Sequence, residues 1–433
     1  MTDGSMRFFA AASRGTEDLL AHELTELGIA GVETLRGGVA FGDRLEHGYR
    51  ARLWSRIASR ILMPIAVFEV ADADDLYAGV HAIPWIDHLR LDRTLAVDVA
   101  GSGSPAGPPH FVTLKVKDAI VDRIRATAGR RPDVDTDRPD LRVHVHLRAA
   151  RVTVSIDLAG RGLHRRGRPP APAEAPMKET LAAAILRAAG WTRDAPGGTL
   201  LDPMCGSGTV LIEAAAAALD RAPGLARSAT PDARGWSGHD RALWDRLHRE
   251  AEERRREADR PEVRIFGFDA SRSTVRLAVE RFARAGLADR VHVEVRDLRD
   301  AEPGPGGAGT IVTNPPYGAR LGEAGELGPL YETLGDVLKR RFPGWRAWVL
   351  SGNRALDRRI GLRAASRRVL YNGPIECRLL EFPISDAPPA SSAGPGWRRP
   401  DDDARGFATR LASNARRLRR WASIKRFFAT RHA

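Results

Sequence analysis

Leu200-Leu201-Asp202-Pro203-Met204-Cys205-Gly206-Ser207-Gly208-Thr209 is the stretch on which the fold turns. It opens as a short apolar strand, breaks at two glycines and continues from Val210 to Leu219 with the composition of a helix. Gly206 and Gly208 carry no Cβ, so backbone N–H groups in such a turn can come close to a ligand. The spacing D-x-x-x-G-x-G is not the dinucleotide fingerprint G-x-G-x-x-G. The lysine and hydroxyl residue of a phosphate-binding loop are also missing.

Outward from this turn, strand and helix signals alternate. A helix is expected at 180–189, and strands at 199–202, 263–269, 291–295, 310–314 and 346–351. Helices are expected at 210–219, 273–285 and 328–341, and a last strand pair at 368–371 and 376–382. That order predicts an α/β domain over 174–384 with a parallel, doubly wound sheet and ligands at the carboxyl ends of its strands. Asp202, Asp269, Asp297 and Asn314 all fall at such ends. A charged insertion, 221–261, reads as a loop and a solvated helix.

Upstream, 1–60 reads as a small α/β subdomain, with a strand from Arg7 and a helix over 15–27. A second helical stripe over 49–61 carries Leu53, Trp54, Ile57 and Ile61. Residues 61–160 read as another α/β unit, with strands at 65–70, 94–100, 141–147 and 151–158 and helices at 76–81 and 113–128. Gly and Pro punctuate an arginine-rich linker, 161–173, and a Pro/Ser/Gly-rich stretch opens 385–433, which ends in a basic amphipathic helix.

The chain has 433 residues, a net charge of +13 and a pI near 10.6. Such a balance points to a polyanionic partner, although arginine-rich composition alone gives the same total. With two cysteines, Cys205 and Cys377, a disulfide framework or cysteine zinc site is not expected, and a reducing cytoplasm fits. No run of 18 apolar residues and no leader-like N-terminus is present, so neither a membrane nor export is expected. His144 and His146 lack a third ligand in the sequence, so no metal is expected.

The glycine motif resembles the first motif of class I S-adenosylmethionine-dependent methyltransferases. Asn314-Pro315-Pro316-Tyr317 resembles the motif of those that act on exocyclic amines. Upstream, 116–122, Arg131-Pro132 with Val134-Asp135, and 139–143 look like a THUMP domain. Together these segments resemble the bacterial large-subunit rRNA guanine-N2 methyltransferases. The resemblance implies a class I, Rossmann-like methyltransferase domain preceded by an α/β THUMP-containing RNA-binding region. It implies S-adenosylmethionine as cofactor and 23S rRNA, or the precursor large ribosomal subunit, as partner. The segment 403–428 looks like the connector to a second methyltransferase in fused members, so an unfused N-terminal enzyme is expected here. A tRNA guanine-N2 enzyme, a DNA adenine-N6 enzyme and a non-catalytic ribosome-assembly factor are the alternatives.

The site residues follow from motif and resemblance together. Lys178, Asp202, Met204, Gly206, Gly208, Asp269, Asp297 and Asn314 are expected around the cofactor. Lys178 lies in the segment that leads the family's chain into the cofactor pocket, and Asp297 sits where the family places an adenine-contacting acid. Asp269 suits the ribose hydroxyls, or else caps the following helix. Asn314 and the Pro315 carbonyl would accept the two N–H hydrogens of a guanine amine, with Tyr317 stacking on the base. Lys115, Lys117, Arg131 and Arg142, with Arg165 and Arg166 of the linker, are expected to meet RNA phosphates.

Overall fold

The computed structural model describes residues 6–160, 162–166, 177–192, 198–227, 235–257, 264–304, 307–317 and 323–385. The basic helix expected in 385–433 and linker residues 167–173 lie outside these. The described residues form two compact units: those up to 169 together with those of 222–254, and those of 170–221 together with those from 255 on.

The first unit is built on one seven-stranded sheet in the order β2-β3-β1-β4-β7-β6-β5. Its strands are β1 (Phe8–Ala11), β2 (Glu33–Leu35), β3 (Gly38–Phe41), β4 (Arg60–Glu69), β5 (Leu95–Ser102), β6 (Leu141–Arg148) and β7 (Arg151–Asp157). β4 pairs antiparallel with β1 on one side and β7 on the other. The two stretches expected as separate α/β units therefore share a continuous sheet. Four helices from the first part of the chain pack with it: α1 (Glu17–Glu26), α2 (Leu45–Trp54), α3 (Ala73–Ala82) and α4 (Pro109–Ala128). Asp72 caps α3 by accepting from the Asp74 and Asp75 N–H groups, and α4 begins on Pro109 and stops at left-handed Gly129.

The helix expected over 49–61 ends at Trp54. The Glu23 carboxylate accepts from the Ser55 hydroxyl (2.6 Å) and the Arg56 N–H (2.9 Å), which turns the chain out of the helix and into β4. The insertion also departs from expectation. Its helix α7 (Arg241–Glu257) buries Leu247 and Ala251, with Trp244 edge-on to Tyr49 and beneath the Arg52 guanidinium. It is solvated on one face only.

The second unit carries a seven-stranded sheet in the order β10-β9-β8-β11-β12-β14-β13. These are β8 (Thr199–Asp202), β9 (Arg264–Asp269), β10 (Val291–Val295), β11 (Thr310–Thr313), β12 (Arg346–Ser351), β13 (Ser366–Asn372) and β14 (Ile375–Pro383). The first five are parallel. β14 runs antiparallel between β12 and β13, so the sheet is mixed, not wholly parallel as expected. One face packs on α5 (Glu179–Ala188), α6 (Thr209–Ala218) and α8 (Arg272–Arg284) through Leu181, Ile185, Leu211 and Phe282. The other packs on α9 (Glu323–Arg341) and the short α10 (Arg354–Arg359) through Tyr331, Leu334, Leu338 and Leu356. From β8 the chain winds outward through β9 to β10, then returns to β11 on the other side of β8. The switch point, where a doubly wound sheet opens a crevice, lies between β8 and β11.

Candidate active site

Two loops leave the sheet at that switch point: the glycine turn after β8 and Asn314–Tyr317 after β11. In the glycine turn, Gly206 has φ +54° and Gly208 φ +76°, the left-handed region that favours glycine. They do different work. A Cβ on Gly208 would come within 2.6 Å of the Phe282 ring, so this glycine lets α8 close on the turn. A Cβ on Gly206 would meet nothing within 4 Å, so its open side is where a ligand can lie against the backbone.

Three of the turn's N–H groups, expected to face a ligand, are turned to partners within the fold. Cys205 donates to the Phe268 carbonyl (2.8 Å), Gly208 to the Cys205 carbonyl (2.9 Å) and Gly206 to the Asp269 carboxylate (3.0 Å). Asp269 thus ties the turn to β9, while its other oxygen accepts from the Ser271 N–H at 2.9 Å. The helix cap considered for this region is supplied by Ser271, which accepts from Thr274. Each Asp269 oxygen accepts one of these two bonds and keeps a lone pair, so ribose hydroxyls still fit there.

Asp202 is buried, and desolvation pushes its carboxyl up to about 7, against the Met204 N–H that it accepts (3.1 Å). The neighbouring Asp269 carboxylate adds to the rise. Met204 is half-buried against the α9 face, and Lys178 is exposed at the N-terminus of α5. Asp297 follows β10 and accepts from the Arg299 N–H (2.9 Å), capping a short turn. Cys205 is buried, and desolvation raises its thiol well above the ordinary range, which suits a packed side chain and not a nucleophile.

Arg281, which sequence reasoning passed over, holds the turn from behind. From α8 its guanidinium donates to the Ser207 carbonyl (2.8 Å), the Ser207 hydroxyl (2.7 Å) and the Thr209 hydroxyl (3.0 Å), and pairs with Glu179 (3.7 Å). An arginine in an amphipathic helix gives no local sign of such a role.

In the second loop, Pro315 is buried and Pro316 exposed, and the Asn314 Oδ1 is buried without a hydrogen-bond partner. A buried acceptor left unsatisfied costs about 1–3 kcal/mol, so a place is held open for a donor that none of the described residues provides. Tyr317 is half-buried, and its hydroxyl accepts from the Asn372 amide at 2.8 Å.

The basic residues expected at RNA divide. Arg131 and Arg165 are exposed. Lys115 pairs with Asp74 (2.9 Å) and Lys117 with Asp118 (2.7 Å), partly exposed pairs of the kind that exchange readily. Arg166 must be corrected. It is 2% exposed and donates to the Leu163 carbonyl (2.9 Å) and the Arg56 carbonyl (2.6 Å) just beyond α2, so it supports the fold and cannot reach phosphate. Arg142 is corrected likewise: at 12% exposure its guanidinium is held by Asp98 (2.7 Å) and the Thr136 carbonyl (3.2 Å). His144 is buried near the same acid, and desolvation lowers it to about 4, keeping it neutral. Among the described residues no group of three or more His, Cys, Asp or Glu could hold a metal ion, and no helix is long and apolar enough to cross a membrane.

A glycine turn and an Asn-Pro-Pro-Tyr loop flanking the switch point of a mixed sheet define a class I methyltransferase architecture. Comparison with known proteins is consistent across the chain. Residues 166–381 match the RMKL-like methyltransferase domain, 70–157 the THUMP domain, and 7–62 the RlmL ferredoxin-like domain. The chain belongs to the THUMP-containing family of RMKL-like methyltransferases, which draw their methyl group from S-adenosylmethionine. A predicted N6-adenine-specific DNA methylase from Listeria monocytogenes is 30% identical with a TM-score of 0.76, covering 88% of this chain and 96% of that one. SMU.472, a putative methyltransferase solved in complex with SAH, is 29% identical with a TM-score of 0.75, over 89% of this chain and 99% of that one. The ribosomal RNA large subunit methyltransferase K/L of Allochromatium vinosum is 46% identical over 96% of this chain and 57% of its own length. The chain spans about three fifths of the length of the curated relatives it matches.

Proposed function

We propose that the protein transfers a methyl group from S-adenosylmethionine to the exocyclic N2 of a guanine in 23S rRNA, on the free RNA or the precursor large subunit. The observation that carries this reading is the buried Asn314 Oδ1 without a partner, in a proline-stiffened loop beside the glycine turn. When bound, S-adenosylmethionine supplies an electrophilic methyl group on a sulfonium. Asp269 receives the ribose hydroxyls, Asp297 faces the adenine, and the open side of Gly206 lets the nucleoside lie against the turn.

A guanine amine is a poor nucleophile because its lone pair is delocalised into the ring. Asn314 Oδ1 and the Pro315 carbonyl accept its two N–H hydrogens, which favours a tetrahedral nitrogen with its lone pair aimed at the methyl. With the donor bound, the nitrogen so held would take the methyl as its bond to sulfur breaks, leaving the neutral thioether, and the surplus proton would pass to water. Tyr317 offers a face to the base, which must first leave its stack. The THUMP match favours RNA over DNA, and the exposed Arg131 and Arg165 are free to meet its phosphates.

The test is methylation of unmodified RNA with labelled donor, followed by digestion to nucleosides. N2-methylguanosine carried by 23S rRNA is expected; N6-methyladenosine, or N2-methylguanosine in tRNA, overturns base or substrate respectively. Asn314→Ala should lower kcat about 10²–10³-fold while donor affinity stays within a few-fold. Retained activity would remove Asn314 from the mechanism.

A further inference from the structure

We propose that Asn372 and Gly352 are positioning residues for Tyr317, fixing the ring on which the target base rests; this rests on the function proposed above. The two stand at the ends of β12 and β13, outside the glycine turn and the Asn-Pro-Pro-Tyr loop. Asn372 closes β13 at the hairpin into β14, is 8% exposed, and donates from Nδ2 to the Tyr317 hydroxyl at 2.8 Å. Gly352 follows β12. A Cβ there would stand 2.7 Å from Tyr317 Cδ2 and 3.0 Å from Cε2, closer than side chains pack, and 3.3 Å from Ile375 Cγ2.

The absence of a side chain at Gly352 is therefore what lets the ring lie down on the end of β12, against the hairpin. The hydroxyl is pinned at one end of the ring, and the buried Pro315 restricts the backbone at the other. A tyrosine held at both ends cannot turn out to solvent. It offers the base one prearranged surface, so little ordering remains when the nucleotide swings in. Tyr317 also packs on the apolar layers of both sheet faces, so a shift of its ring is felt in the packing as well.

A double-mutant cycle tests this on the full chain, with kcat and KM for unmodified RNA, donor affinity by calorimetry and thermal midpoint for each variant. Tyr317→Phe removes the hydroxyl. Asn372→Leu removes the amide donor and keeps the number and branching of the side-chain heavy atoms, so that the hairpin folds. Each is expected to lower kcat for RNA about five- to tenfold, with donor affinity within about twofold of wild type. The double variant should be no slower than the slower single one, because the Asn372 bond is already lost once the hydroxyl is gone. Gly352→Ala, which displaces the ring itself, should lower kcat more than either.

Multiplying effects in the double variant would overturn the proposal, as Asn372 would then act independently of the hydroxyl. So would equal losses of donor affinity and RNA turnover in Asn372→Leu, the signature of a merely structural role. Product analysis of the wild-type reaction decides separately which base is methylated, and the cycle reads the positioning role whichever base that is.

Discussion

In the N-terminal unit Arg60 bridges Asp98 (2.9 Å) and the fully buried Asp157, Arg142 takes the other oxygen of Asp98, and Arg166 and Arg227 both donate to the Leu163 carbonyl. In the C-terminal unit the buried polar groups at the ends of β8 and β11 are handled differently. Asp202 is pushed towards its neutral form, and Asn314 Oδ1 has no partner among the described residues. Both regions are α/β layers around seven-stranded sheets. Buried atoms without a partner occur in both units, His144 Nδ1 among them, so what marks Asn314 is its place: an open acceptor in the loop at the switch point, beside the glycine turn, whereas the arginine–carboxylate network of the other unit fixes a fold.

The largest effect should come from breaking the network. Arg60→Ala leaves Asp157 buried without its cation and should destabilise the N-terminal unit by about 3–5 kcal/mol in urea unfolding. A loss under about 1 kcal/mol would show that the pair is no more than a surface contact.

Next, the two units should respond to pH in opposite senses. Asp202 titrates near 7 when folded against an ordinary 3.8, so between those values the folded chain keeps a proton that the unfolded chain has released. Stability then falls as pH rises from about 4 to about 7 and levels off above, and Asp202→Asn should abolish that slope. His144 titrates near 4 against 6.5, so the unfolded chain takes up a proton that the folded chain refuses. Its contribution is lost as pH falls from about 6.5 to about 4, and His144→Gln should flatten that limb. The slopes are worth at most about 4 kcal/mol for Asp202 and about 3 kcal/mol for His144. Thermal midpoints across pH 4–8 for wild type and both variants decide it; unchanged slopes in the variants would break the contrast.

The smallest effect sharpens it. Arg131→Ala and Arg165→Ala should each lower the slope of log affinity against log salt for rRNA by about 1 with an unchanged thermal midpoint. Arg166→Ala should do the reverse, lowering the midpoint and leaving the slope alone. Filter binding at several salt concentrations distinguishes them.

The C-terminal unit was the more legible in sequence because its elements carry local signals: the glycine turn, the Asn-Pro-Pro-Tyr loop and strand-helix alternation. What escaped was set by distant partners. Ile57 and Ile61 continue the helical stripe of α2, but Glu23 turns the chain from 32 residues away. Arg166 has the composition of a phosphate contact, and only its two carbonyl partners show otherwise. The seat of Tyr317 was invisible for the same reason, since a glycine and an asparagine after separate strands announce nothing until the sheet brings them together.

The position of β4 bears on how this chain can be divided. The ferredoxin-like match ends at residue 62 and the THUMP match begins at 70, so the boundary between two inherited modules falls inside one strand. A fragment cut at that boundary to isolate the THUMP module would lose β4 and bare the ladder of β7 along its whole length. Open strand edges of that kind pair with other chains. The two modules are joined as neighbouring planks are joined by the board between them, and the usable fragment begins at β1.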